Sequence, residues 1–96
     1  MRDNVPLGFD WDDSNTGHLK RHKVSREEFE QALRNDPLII DYSNLNGEDR
    51  WSALGITDAL RILVLCYTFR GERVRPVTAW PANRRLRETY FRRKAM

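Results

Sequence analysis

The stretch Arg61-Ile62-Leu63-Val64-Leu65-Cys66-Tyr67-Thr68-Phe69 decides the fold. Consecutive residues of a strand point to opposite faces, so a strand with one wet face alternates apolar and polar side chains. Here apolar side chains occupy successive positions, and several are β-branched or aromatic. Such a run is a central strand, covered on both faces. At Ile62 to Tyr67 the continuous apolar part is far too short to cross a bilayer.

The neighbouring segments supply the rest of a sheet. Leu38 to Tyr42 and Arg50 to Ile56 read as strands before the central one. Ser43-Asn44-Leu45-Asn46-Gly47 lies between them, with a hairpin-type Asn-Gly, and Thr57 to Leu60 is a turn. After the central run, Arg70-Gly71-Glu72 turns the chain and Arg73 to Trp80 returns. Pro76 within it requires an edge or a bulge, because proline donates no ladder hydrogen bond. Farther upstream, Leu7, Phe9 and Trp11 alternate with Gly8 and Asp10, which predicts a short first strand.

Two helices are expected before the meander. Asp12, Asp13 and Ser14 each suit a helix N-terminus, and residues 14–22 read as a short polar helix with Leu19 as its one strong apolar anchor. Ser25 and Glu28 form a capping box, and Val24 with Phe29 a hydrophobic staple. Phe29, Ala32 and Leu33 give the second helix its buried stripe, which ends at Asn35-Asp36-Pro37. Residues 82–93 close the chain as a helix with Leu86 and Tyr90 on one face and Glu88 within reach of Arg84, Arg85 or Arg92. The order is that of an α+β fold: an antiparallel β-sheet with two N-terminal helices and a C-terminal helix. With 96 residues, 40% hydrophobic and 32% charged, residues 1–96 are expected to form a single globular domain.

Composition narrows the chemistry. The only cysteine, Cys66, has no disulfide partner in the chain. Met1 to Pro6 has no apolar core of a signal peptide, so a cytoplasmic protein is expected, with no membrane association. His18 and His22 are four apart, but a metal site needs at least one more ligand. The expectation is no metal and no cofactor. No nucleophilic triad or phosphate-binding glycine loop is present.

The net charge of +3 conceals a marked asymmetry. Residues 1–60 carry a net −5 and residues 61–96 a net +8, nearly all of the latter as arginine. Planar guanidinium groups suit phosphates and carboxylates, so the last third suggests a surface for RNA or for an acidic partner, or else an ordinary solvated face. Arg73 and Arg75 share one face of their strand, as Arg50 and Ser52 do of theirs. In suitable register Arg50, Arg73 and Arg75 converge into a phosphate site; otherwise they pair with surface carboxylates, Glu48 and Glu72 being nearest in sequence. Cleaving RNA without a metal takes a base, an acid and stabilisation of the phosphorane. His22 and Glu48 are candidates for base or acid. Trp80, Tyr67 and Tyr90 are candidates for stacking on an unpaired base, or for the core.

An ordered set of motifs resembles the BrnT toxin family. Phe9-Asp10-Trp11-Asp12 is similar to the family's F-x-W-D. Arg21-His22-Lys23-Val24-Ser25 stands where it typically reads K-H-G-V-S, with Glu27-Glu28 and Asp36-Pro37 following. Glu48-Asp49-Arg50-Trp51-Ser52-Ala53-Leu54-Gly55 is similar to E-x-R-W-x-x-x-G. The end, Arg75 to Ala82 and then Arg84-Arg85-Leu86-Arg87-Glu88-Thr89-Tyr90, resembles R-I-I-S-A-R-x-A followed by R-R-E-R and a tyrosine. The resemblance implies a RelE-like fold and ribonuclease toxicity. It also implies a BrnA-like ribbon-helix-helix antitoxin, forming a heteromeric complex that binds operator DNA. Carried over residue by residue, it marks His22, Glu48, Arg50, Arg75 and Tyr90 as catalytic candidates. Lys20, Arg21, Lys23, Arg73, Trp80, Arg84 and Arg85 are the expected RNA contacts. The alternative is a non-catalytic RNA- or protein-binding module. Three positions depart from the pattern: Arg21 for lysine, Lys23 for glycine, and Trp80 where an arginine is common.

Overall fold

The computed structural model describes residues 8–95. In chain order they form β1 (Gly8–Phe9), α1 (Asp13–Arg21), α2 (Arg26–Arg34), β2 (Leu38–Leu45), β3 (Glu48–Ile56), β4 (Ile62–Arg70), β5 (Arg73–Pro81) and α3 (Arg84–Lys94). The five strands make one sheet in the order β1-β5-β4-β3-β2. Strands β2 to β5 are an antiparallel meander, as expected, and β1 adds a two-residue parallel pair to β5. Leu7, which the sequence places in the first strand, lies outside the described residues.

β4 is the middle strand and explains its own composition. Leu63, Leu65 and Tyr67 point into a core made with Phe9, Leu19, Val24, Phe29, Ala32 and Leu33, under α1 and α2. Ile62 and Val64 point the other way, into a smaller core with Leu54, Ala82, Tyr90 and Leu86, under α3. Each fully buried aliphatic side chain stabilises the fold by about 1.5–3 kcal/mol, so this one strand anchors both layers.

The capping box of α2 forms as the sequence indicates. Ser25 Oγ accepts from the Glu28 N–H at 3.1 Å, and Glu28 Oε1 accepts from the Ser25 N–H at 3.0 Å. Val24 and Phe29 are buried in one cluster. α2 then lies backbone to backbone on β3: a Cβ on Gly55 would stand 2.4 Å from the Ala32 carbonyl oxygen, so only glycine fits there.

Most boundaries differ from the sequence expectation by one to three residues; β3, for one, starts at Glu48 and not at Arg50. β2 continues through Ser43-Asn44-Leu45, because the Asn44 amide donates to Asp49 Oδ1 at 2.8 Å and accepts from the Gly47 N–H at 3.2 Å. The hairpin is thereby tightened to Asn46-Gly47, both at positive φ, 54° and 82°, the signature of a type I′ turn. An outermost strand in water tolerates such polar residues. Likewise β4 runs on to Arg70, and only Gly71, at φ 61°, is left to turn the chain with Glu72. Pro76 sits at a bulge: the β4–β5 register slips between the pairs Cys66↔Thr78 and Tyr67↔Pro76, leaving Val77 as the extra residue. No helix among the described residues is long and apolar enough to cross a membrane.

Lys23 joins α1 to α2 at φ 60°, the left-handed region that costs a non-glycine residue about 1–2 kcal/mol. Lys23→Gly is expected to raise the unfolding free energy by up to about 1 kcal/mol, the strain relieved less the extra freedom of an unfolded glycine. A urea titration checks this; a loss of stability would show that the lysine side chain contributes more than its backbone strain costs.

Candidate RNA-binding and active site

The even-numbered residues of β3 and β4 share the sheet face on which α3 packs, but α3 covers only one end of it. The other end carries Glu48 and Arg50 from β3 and Thr68 and Arg70 from β4. The strand registers place Ser43 beside Arg50 and Thr68 beside Arg75. Extending Trp51↔Tyr67 by one step puts Arg50 beside Thr68. Arg50, Thr68 and Arg75 therefore form one row across three strands. Thr68 closes it by donating from Oγ1 to the Asp49 carbonyl at 2.5 Å.

This row floors a cavity of about 250 Å³, lined by Glu48, Arg50, Thr68, Arg70, Arg75 and, from α1, Ser14, Asn15 and His18. The bulge at Pro76-Val77 forms the rim between sheet and helix. α1 reaches it because its N-terminus is tied there. Asp12 Oδ1 accepts from the Asn15 N–H at 2.9 Å, and Asn15 Oδ1 accepts from the Asp12 N–H at 2.9 Å. The buried Asn15 amide then donates to the carbonyls of Asp10 at 2.9 Å and Pro76 at 3.0 Å. Farther along the helix, His18 Nδ1 lies 3.2 Å from the Val77 carbonyl oxygen. A carbonyl only accepts, so Nδ1 carries the proton and Nε2 is the atom left to exchange one.

The charges are arranged in opposed pairs. Arg75, only 19% exposed, donates from Nη2 to Asp12 Oδ2 at 2.7 Å and lies 3.6 Å from Asp10. The Asn15 backbone N–H, then the Arg75 guanidinium, hold the Asp12 carboxyl below its usual range. Asp12 in turn raises Arg75. Arg70 reaches Asp10 at 4.0 Å, and Arg50 Nε lies 2.5 Å from Glu48 Oε2. Three guanidinium groups and one imidazole thus border one small space with three carboxylates about them. An anion entering it meets fixed donors of the kind that stabilise a developing negative charge.

A sequence model described as the ribonuclease toxin BrnT of type II toxin–antitoxin systems matches residues 11–85. The chain belongs to the BrnT family. No curated protein matches it. The BrnT match runs from Trp11 to Arg85 and so includes every residue that lines the cavity.

Of the residues singled out from the sequence, Glu48, Arg50 and Arg75 meet at the cavity. Arg73 does not: its guanidinium donates to the Phe9 carbonyl at 2.7 Å and braces β1. Tyr90 is buried under α3 in the smaller core, where burial raises its phenol pKa, and it lies beyond the stretch that matches BrnT. His22 caps the C-terminus of α1, outside the cavity lining, with its ring 6.2 Å from that of Trp80. Lys20, Arg21 and Lys23 are exposed around the same helix end. Arg84 and Arg85 open α3, Arg84 pairing with Glu88 at 3.1 Å.

Sequence reasoning missed His18, Arg70 and Asn15. His18 was legible as the residue one turn before His22 on the same helix face. Arg70 was hidden by assigning it to the turn, although alternation from Thr68 puts it on the cavity face once β4 is long enough. Asn15 left no signal, since asparagine is an unusual reciprocal partner in a capping box.

Replacing Asn15 by alanine leaves two carbonyls without their donors and removes half of the helix cap. The expected loss is about 2–4 kcal/mol of stability, read from chemical denaturation. A loss below about 0.5 kcal/mol would mean that water takes over those bonds and that α1 does not depend on Asn15.

Proposed function

We propose that this chain is an endoribonuclease toxin on a RelE-like fold that cuts RNA at the cavity between β3, β4, β5 and α1. The observation that carries the reading is the convergence of Arg50, Arg70 and Arg75 with Glu48 and His18 on one small space. The substrate phosphate lies among the guanidinium groups. The ribose 2′-oxygen attacks the adjacent phosphorus, the 2′-oxygen–phosphorus bond forms, and the bond to the 5′-oxygen breaks. Glu48 takes the 2′-hydroxyl proton. His18, as imidazolium, keeps its Nδ1–H on the Val77 carbonyl and gives the Nε2 proton to the departing 5′-oxygen. The products are a 2′,3′-cyclic phosphate and a 5′-hydroxyl. The arginines neutralise the extra charge of the phosphorane and take no part in the proton transfers. Lys20, Arg21, Lys23, Arg84 and Arg85 extend the cationic surface along which RNA approaches.

The partner in this reading is a BrnA-like antitoxin with a ribbon-helix-helix part, which neutralises the toxin in the cytoplasm and brings the complex to operator DNA. The chain's membership of a type II toxin family and the cationic cavity support it. One observation favours a second reading, a binding module without catalysis: Arg75 is already matched by Asp10 and Asp12.

Induced expression separates the two. The nuclease reading expects growth arrest with RNA fragmentation and cyclic-phosphate ends. Arg50→Ala, Arg75→Ala and His18→Ala should each lower the cleavage rate by about 100-fold or more, and Glu48→Gln by a comparable factor. A harmless wild type whose purified form leaves RNA intact would refute catalysis and leave binding.

A further inference from the structure

The fold employs two of the three tryptophans. Trp11 stacks on Phe9, meets Phe29 edge-on, and donates its indole N–H to Glu30 Oε2 at 2.8 Å. Trp51 packs against the larger core and lies 4.5 Å, ring to ring, from Tyr42. Trp80 belongs to neither core and is 37% exposed. Among the described residues its one aromatic neighbour is His22, with ring centroids 6.2 Å apart and planes tilted by 55°. Rings at that angle do not stack face to face, so they do not saturate each other.

The position of this pair relative to the cavity is fixed by α1 and β5, which run side by side in the same direction. Asn15 meets Pro76, His18 meets Val77, and His22 meets Trp80. His18 and His22 are four residues apart on one helix face, about 6 Å along the axis. Val77 and Trp80 are about 10 Å apart along the strand. The Trp80–His22 pair therefore lies one helical turn beyond the cavity, along the same seam. Lys20, Arg21 and Lys23 are exposed at that end of α1. An indole cannot neutralise a phosphate, but it offers a flat face to a base.

We propose that Trp80 and His22 form a base-stacking subsite that receives one unpaired base of single-stranded RNA, next to the phosphate held by Arg50, Arg70 and Arg75. The inference rests on the cavity reading above and adds a strand preference to it. A base in a duplex has both faces stacked already, whereas an unpaired base can be splayed onto an aromatic platform. This chain then selects single-stranded segments through an aromatic contact where a charge would bind single and double strands alike.

The test uses a single-stranded 2′-O-methyl oligoribonucleotide, which lacks the attacking hydroxyl and stays intact, and the same strand in a duplex. Tryptophan fluorescence of the wild type should be quenched on adding the single strand, and the quenching should be lost in Trp80→Phe, since Trp11 and Trp51 are packed in the fold. Trp80→Ala should weaken single-strand binding about tenfold or more and leave duplex binding unchanged, while Trp80→Phe retains most of the affinity. His22→Ala should give a smaller loss in the same direction. If Trp80→Ala binds single strands like the wild type while Arg50→Ala and Arg75→Ala still abolish cleavage, the subsite is wrong and the cavity reading stands. If Trp80→Ala keeps its RNA affinity but no longer holds its antitoxin, the patch is a protein contact and the subsite is also wrong. A wild type that binds neither oligonucleotide overturns both readings.

Discussion

The carboxamide of Asn15 is buried where three segments of chain meet, and all of its polar atoms are used. It receives the Asp12 N–H and donates to the carbonyls of Asp10 and Pro76. Those bonds do more than cap a helix. They hold the N-terminus of α1 against the bulge of β5, and so decide that Asp10 and Asp12 stand beside Arg75. Without that attachment the polar helix α1 has little to hold it: Leu19 is its one buried apolar residue. A buried amide with every donor and acceptor matched specifies one arrangement, because any shift leaves an unpaired group in a dry place.

Charge follows the same logic. The sequence separates acids and bases along the chain, which read by itself suggests a basic surface at one end. In the fold, five of the eight ion pairs among the described residues join an acid from the first 60 residues to a base from the last 36: Glu28 with Arg61, Asp10 with Arg70, Asp10 and Asp12 with Arg75, and Asp36 with Lys94. Much of the asymmetry is thus matched internally. Most of these pairs are partly exposed and individually worth little. Their effect is in position: the carboxylates near Arg70 and Arg75 allow two guanidiniums to lie close together without an anion between them. Glu28 shows how such contacts combine. Burial opposes its ionisation, yet the Ser25 N–H and Arg61 outweigh burial and keep its pKa below the usual value. Such carboxylates contribute stability that is present at neutral pH and lost as the pH falls through the ordinary carboxylate range.

The meander and the helices were legible because their signals are local. Ile62 to Tyr67 marks a doubly covered strand, the Ser25–Glu28 box marks a helix start, and Asn46-Gly47 marks a hairpin. The capping box and the hairpin formed because backbone hydrogen bonding and φ preference act over four residues. The parallel pairing of β1 was not legible, being only two residues long and directed by a partner 65 positions away, Gly8 on Arg73. At the cavity, period-2 alternation put Arg73 and Arg75 on one face and left the meeting with Arg50 to the strand register, which also decided the third arginine. It was Arg70, because Arg73 is drawn off to the Phe9 carbonyl at the sheet edge. The family resemblance pointed to His22, whereas helix geometry puts His18 at the cavity and His22 one turn beyond it.

The account stands on three guanidiniums from three strands sharing one anionic ligand. The most direct measurement is NMR of the arginine Nε–Hε groups, assigned by single substitution, during titration with a 2′-O-methyl dinucleotide. The resonances of Arg50, Arg70 and Arg75 should move together, with one dissociation constant, while that of Arg73 stays in place. Independent movements with different constants, or shifts confined to arginines outside the cavity, would contradict it.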